Sequence, residues 1–230
     1  MTGPSEKSRD RLEASYSRLM SEEYARRWSA ENPGNNYAIG ERAAVLDRLL
    51  ADRLPDRQIR LLDLGCGSMS VLPERINVKV NIGVDLLFGR LASLATTDRD
   101  VLTVNADGGK LPFSSATFDV VVMSTMMTSV LDAKNRKSIA DEVVRVLDTG
   151  GVLIWYDLRY PSPFNRAIAP VSRRALARLF PSLQGDVQSL TVIPPLARRL
   201  GRSTLWAYPL LAKVPFARSH LAACLVKGHS

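Results

Sequence analysis

Apolar positions in this chain follow two rhythms. Short apolar runs recur from about residue 60 and predict strands near Arg60 to Asp63, Val78 to Asp85, Val101 to Asn105, Val120 to Ser124 and Val152 to Tyr156. Between them the spacing turns helical. The clearest case is Asn135 to Leu147, with Ile139, Val143 and Val146 at core spacing, ending before Thr149-Gly150-Gly151, where glycines let the chain reverse into the fifth strand. Strands alternating with helices predict a parallel sheet covered on both faces, because each parallel crossover needs a helix.

The two ends read differently. Residues Met1 to about Arg9 show no period and predict disorder. Leu12 to about Ala30 has helical spacing, with Leu12, Tyr16, Leu19 and Tyr24 on one side. The turn formers ENPGNN should break the chain before a second helix, Ile39 to Leu54. After Tyr156 comes the irregular, proline-bearing DLRYPSPFNR. A basic helix SRRALARLF, a strand near Asp186 to Ile193, a second basic helical region from Pro195 to about Val214 and a last strand at Leu221 to Val226 follow.

A length of 230 residues with 46% hydrophobic composition suits one well-buried domain. No apolar run reaches the roughly twenty residues of a membrane span, and the polar N-terminus lacks the apolar core of a signal peptide. Cys66 and Cys224 have neither disulfide nor zinc spacing, so a reducing, cytoplasmic setting is expected. The net charge of +8 is uneven: from Arg159 to Ser230 eleven Lys and Arg face a single acid, Asp186. Such a block can face nucleic acid, anionic lipid or a phosphorylated substrate, or be plain solvated surface.

The most informative stretch is LLDLGCGSM. A strand runs into Asp63, and Gly65 and Gly67 allow a sharp turn with close backbone approach to a ligand. Alone this pattern also fits a bland strand-to-helix turn, or a dinucleotide fingerprint, which wants a third glycine where Ser70 stands. Asp85 ends the next apolar run, where a carboxylate can take both hydroxyls of a ribose. Asp107 ends the third, ahead of Leu111, Pro112 and Phe113.

With DLGCGSM, GVDLL, NADGGKLPF, FDVVVMSTMM and RVLDTGGVLIWYD in this order, the chain from about Tyr24 to Lys227 resembles the class I S-adenosylmethionine-dependent methyltransferases. The resemblance implies an α/β, Rossmann-like, seven-stranded and mostly parallel sheet with helices on both faces and an antiparallel last strand. It implies N-terminal lid helices over residues 1–55, a cofactor core over 56–157 and a basic acceptor-side region over 158–230. S-adenosylmethionine is the implied cofactor. Asp63 and the Gly65-Cys66-Gly67 backbone would hold its methionine portion, Asp85 the ribose, and Asp107 with Gly108 the adenine edge, with Leu86 and Met123 sandwiching the ring. Met69 stands where the family often has a third glycine.

A sulfonium methyl is already electrophilic, so the protein chiefly aligns an acceptor. An oxygen acceptor needs a base. The usual histidine is missing, since His220 and His229 lie near the C-terminus. Asp157 is the candidate base, Asp132 a more remote one, and Arg159, Tyr160 and Tyr24 are candidates for acceptor binding. No carboxylate cluster suggests a metal. Ser124 to Met127 replaces the motif of nucleobase N-methyltransferases, so nucleic acid is not an expected substrate. WYDLRYPSP, LARLFP and PPLARRL resemble bacterial enzymes of glycan, glycolipid or secondary-metabolite pathways. Methyl transfer to a small-molecule, saccharide or lipid-linked glycan acceptor is therefore expected. The alternative is a cofactor-fold protein whose basic third binds RNA or a protein partner. Between Leu196 and Arg218, five bases interleave with Leu200, Leu205, Trp206, Tyr208, Leu210 and Leu211. That segment suits peripheral membrane contact or simply covers the sheet.

Overall fold

The computed structural model describes residues 29–50, 53–54, 58–67, 77–161 and 168–228. The expected helix Leu12 to Ala30 falls almost wholly outside them, as do Tyr24, Met69 and His229. The first described helix, α1, is Pro33–Leu50 and starts inside the segment expected to be a loop. Asn32 accounts for this: its side-chain oxygen accepts from the Gly34 and Asn35 amides at 3.0 and 3.2 Å, and Pro33 follows with φ preset for a helix. The turn formers are a helix cap.

Seven strands follow the expected alternation: β1 Ile59–Leu64, β2 Val78–Asp85, β3 Val101–Asn105, β4 Phe118–Ser124, β5 Leu147–Leu158, β6 Leu183–Val192 and β7 Arg218–Lys227. They form one sheet in the order β3-β2-β1-β4-β5-β7-β6. The pairs from β3 through to β5 are parallel. β7 enters antiparallel to both β5 and β6, so the expected sheet is the one observed. β5 is longer than expected because α3 (Ala133–Val146) runs straight into it, and Thr149-Gly150-Gly151 lies within the strand as an irregularity in register. Lys227 of β7 donates to the Val144 and Leu147 carbonyls at this junction, at 2.7 and 2.6 Å.

Alternation along the strands builds two cores. Leu62, Leu64, Val121, Met123, Leu153, Trp155 and Ala223 meet α3 and α4 (Arg173–Leu179) through Ile139, Val143, Val146 and Leu176. Leu61, Val120, Val122, Ile154 and Tyr156 meet Val45, Leu46, Leu49 and Leu50 of α1 on the other face. α1, which the resemblance implied as part of a lid, packs its apolar stripe on this face of the sheet, from β1 and β4 across to β7 and β6. α2 (Phe88–Thr97) packs Leu91 and Leu94 against Val101 and Cys66.

The second basic helical region is broken into α5 (Pro194–Arg199), a 3-10 turn (Gly201–Ser203), α6 (Thr204–Ala212) and a 3-10 turn (Pro215–Ala217). Gly201, with φ +50°, and Pro215 punctuate it. β6 ends and β7 begins beside the carboxyl end of β5, since Val192 pairs with Arg218 and Leu158 with His220. Everything between them therefore sits at the same edge as the ends of β1 to β5, where ligands gather in open α/β sheets.

Candidate active site

The site starts with two backbone conformations that only glycine takes without strain: Gly65 has φ +77° and Gly67 φ +64°. The turn they form is stitched to β2, with the Gly65 and Cys66 amides donating to the Val84 carbonyl at 2.7 and 3.2 Å. The Gly67 amide donates to one oxygen of Asp85 at 2.9 Å, and the Leu87 amide to the other at 2.9 Å. Arg90 approaches the same carboxylate at 3.7 Å. A carboxylate can accept about four hydrogen bonds, so two bonds from amides leave Asp85 capacity for a pair of ribose hydroxyls. Asp63 is buried at the end of β1, paired in register with Gly83 and Val122. Cys66 turns its thiol into the α2 core, where burial, aided by the Asp63 and Asp85 charges, pushes its pKa up to about 12. It offers a ligand its backbone and no reactive thiolate.

Asn105 joins the next strand end to this turn, donating to the Asp85 and Leu86 carbonyls at 2.9 and 3.0 Å. Leu86 is half-buried beside it. Asp107 accepts from the Gly109 amide at 2.9 Å, shaping the loop around buried Gly108. α3 pins the rest of that loop: Glu142 accepts from the Leu111 amide at 2.6 Å, and Arg145 donates to the Phe113 carbonyl at 2.7 Å. The Arg145 guanidinium holds the Glu142 carboxyl below its usual range.

Met123 is 1% exposed and belongs to the core facing α3. Met126 takes the position at the opening: a Cβ on Gly65 would stand 2.3 Å from its Cγ, and one on Gly108 3.4 Å from its Cε. Thr125, with φ +52°, turns the chain there. β4 is buried on both faces, so no alternation marked which methionine points where.

On the acceptor side, Asp157 stands at the expected edge but is enclosed. It is 2% exposed, and its oxygens accept from the Thr128 amide at 3.1 Å and the Leu158 amide at 2.8 Å. Burial pushes its pKa up to about 6, opposed by those hydrogen bonds. Arg136 contributes positive charge nearby while its side chain donates to the Val130 and Ala169 carbonyls at 2.6 and 2.5 Å. Asp132, the remoter candidate, caps α3 by accepting from the Asn135 amide at 2.8 Å. Arg159 and Tyr160 do come together, the guanidinium 4.4 Å above the ring. They line a cavity of about 270 Å³ with Ser172, Arg173, Arg174 and Leu221.

Sequence distance hid one residue at this edge. His220 pairs with Leu158, stacks on Tyr156 at 4.8 Å and shares a 2.8 Å hydrogen bond with Ser219. Burial, with Arg42 nearby, lowers its pKa to about 3, so it stays neutral and serves packing. Tyr37, on α1, packs its ring at a tilt against Tyr208, centroids 4.3 Å apart.

Among the described residues no three His, Cys, Asp or Glu side chains gather as a metal site, and no helix is long and apolar enough to cross a membrane. The glycine turn, the Asp85 carboxylate and the Asp107 loop stand together at the carboxyl ends of β1, β2 and β3, and Asp85 keeps acceptor capacity of the kind a ribose diol uses. Residues 62–155 match the family model described as a methyltransferase domain. A demethylmenaquinone methyltransferase of Mycobacterium sp. (strain KMS) is 30% identical over 131 residues, 56% of this chain and 54% of that protein. A malonyl-(acyl-carrier protein) O-methyltransferase of Marinomonas sp. (strain MWYL1) is 31% identical over 151 residues, 63% of this chain and 53% of that one. The chain thus spans about half the length of these curated relatives. The crystal structure of the N-methyltransferase NodS from Bradyrhizobium japonicum WM9 with S-adenosyl-L-homocysteine superposes with a TM-score of 0.68 over 95% of this chain and 99% of NodS. At 14% identity that likeness is one of fold.

Proposed function

From the class I S-adenosylmethionine-dependent methyltransferase domain that this chain carries, we propose that the protein transfers a methyl group to a small-molecule acceptor bearing an anionic or sugar group. The saccharide or lipid-linked glycan class, methylated on oxygen, is the finer form of this reading. The Gly67 amide bonded to Asp85 at the ligand edge, inside the matched segment, supports methyl transfer, and the cavity lined by Arg159, Tyr160 and Arg174 supports the anionic or sugar acceptor.

Bound S-adenosylmethionine supplies a methyl group made electrophilic by its sulfonium. The chain's own work is binding and alignment. Asp63 and the Gly65–Gly67 backbone hold the methionine end, Asp85 the ribose, and Asp107, Gly108 and Leu86 the adenine. Met126, over Gly65 and Gly108, keeps water from the cradle. Arg159 and Arg174 receive the acceptor's anionic or hydroxylated group beside Tyr160, whose ring already takes a cation. Asp157 acts as a positioning residue: it holds the Thr128 amide and with it the turn that follows β4.

Incubation with methyl-labelled S-adenosylmethionine and pools of anionic metabolites, sugars and lipid-linked saccharides, read by mass spectrometry, tests the reading. Label should enter an acceptor of one of these classes, with S-adenosylhomocysteine released in equal amount. Replacing Arg159 and Arg174 by Ala should raise the acceptor KM about tenfold or more while cofactor affinity stays unchanged, since hydrogen bonds to charged groups contribute about 1.5–3 kcal/mol each. An unchanged KM would remove this cavity from the acceptor site.

A further inference from the structure

α6 is built inside out for a helix on a water-soluble surface. Its inward positions carry Thr204, Ala207, Tyr208 and Ala212, with Tyr208 bonded to Glu41 at 2.8 Å and packed at a tilt against Tyr37. Its large apolar side chains point outward instead: Leu205 is 81% exposed, Trp206 65% and Leu210 56%, and Phe216 in the following turn is 75% exposed. The expectation that the apolar residues of this segment pack inward thus holds for Tyr208 and, half-buried against the same cluster, Leu200 and Leu211, and fails for Leu205, Trp206 and Leu210. Basic residues frame the face. Arg202 and Lys213 are exposed at the two ends of the same helical stripe, and Arg199 is exposed on α5. From Ile193 to Ala217 the sequence has four bases and no acid. Arg218, the remaining base of the interleaved segment, is withdrawn from the face: it bonds to the Ala212 and Ser189 carbonyls.

Exposed Trp, Leu and Phe ringed by Arg and Lys match an anionic bilayer interface, where aromatic and aliphatic groups enter the headgroup boundary and cations meet lipid phosphates. A soluble anion would explain the bases and leave the apolar side chains in water; the two together select a lipid surface. We propose that the outer face of α6 and the turn Pro215–Ala217 dock on anionic lipid and hold the ligand edge of the sheet toward the membrane. The proposal rests on the methyltransferase reading only for the meaning of that edge. The docking face itself stands without it.

The test is co-sedimentation of the full chain with vesicles of phosphatidylglycerol and phosphatidylcholine, against phosphatidylcholine alone, at low and physiological salt. Binding to the anionic vesicles alone, weakened by salt, is expected. The Arg199→Ala/Arg202→Ala/Lys213→Ala variant should bind roughly a hundredfold more weakly, and Leu205→Ser/Trp206→Ser should not bind at all. All five positions are exposed, so thermal melting should show both variants folded. With Trp28 replaced by Phe, lipids brominated in the acyl chains should quench Trp206, since Trp155 has no exposed surface. Absence of binding to anionic vesicles, or equal binding to both kinds, overturns the proposal. So does a dimer that the Leu205→Ser/Trp206→Ser variant abolishes in a protein that ignores vesicles, which would assign the face to a second copy. Calorimetry with S-adenosylhomocysteine on the same samples reports on the cofactor reading separately.

Discussion

The Gly67 amide donates to the Asp85 carboxylate at 2.9 Å, so the turn after β1 and the acid ending β2, eighteen residues apart, form one unit. Charge-assisted bonds of this kind are short and strong. This one fixes the carboxylate in place, so under the proposed function little ordering would remain for a ribose to bring about.

The first prediction concerns how tightly that turn is drawn. Gly65→Ala puts a Cβ at φ +77°, 2.3 Å from Met126 Cγ. Left-handed backbone costs a non-glycine residue about 1–2 kcal/mol, and the clash displaces Met126 as well. Melting should show a loss of at least this size, and calorimetry at least a tenfold loss of S-adenosylhomocysteine affinity. Gly108→Ala meets Leu64 and Met126 only at 3.4 Å and is the control; it should lose much less on both counts.

Asp157 gives a prediction in pH. Its carboxyl titrates near 3.8 in an unfolded chain and near 6 when folded, raised by burial. Between those values the folded protein holds a proton that the unfolded chain has released, so the parent's stability is full below the lower value and falls as pH rises through the upper one. The loss is about 3 kcal/mol for a shift of roughly two pH units. Asp157→Asn does not titrate, so denaturant unfolding should show the variant gaining on the parent between about pH 4 and pH 7, by up to that amount. Equal pH profiles would refute the raised carboxyl. A fall in kcat of about a hundredfold with an unchanged acceptor KM would make Asp157 a general base and end its assignment to positioning.

Far from the ligand edge, Arg60 forks onto buried Asp119 at 2.9 and 3.0 Å and also reaches Asp148 at 3.0 Å. Its Asp119 hydrogen bond, the largest cause, raises the guanidinium pKa. Arg60→Ala leaves Asp119 without this charge. Breaking a buried pair costs about 3–5 kcal/mol, and the partly exposed arginine brings the expected loss down to about 2. Urea unfolding should show that loss with S-adenosylhomocysteine affinity unaltered; a changed affinity would mean that the two ends of the sheet are coupled.

Much of this was legible in the chain, for identifiable reasons. β2 and β3 begin and end where their apolar runs do, and Gly65, Gly67 and Asp85 announce themselves because few residues meet the demands of that turn. What was hidden depends on three-dimensional neighbours. The segment ENPGNN reads equally as a loop or as a cap, and only Asn32 bonded to Gly34 and Asn35 decides. Along FDVVVMS both faces are buried, so nothing in the pattern separates Met123 from the exposed end of the strand. Asp157 looks like any acid at a strand end until Thr128 is seen lying across it. His220 comes beside Leu158 only because β7 runs antiparallel. In α6 the buried positions went to Ala207, Tyr208 and Ala212, and hydrophobicity alone assigns them to the leucines.

Calorimetric titration of S-adenosylhomocysteine into the parent and into Asp85→Ala tests the central claim most directly. Two charge-assisted bonds to ribose hydroxyls, at roughly 1.5–3 kcal/mol each and partly offset by solvation, predict binding to the parent and a loss of about ten- to a hundredfold in the variant. A parent that does not bind, or a variant that binds equally well, would contradict it.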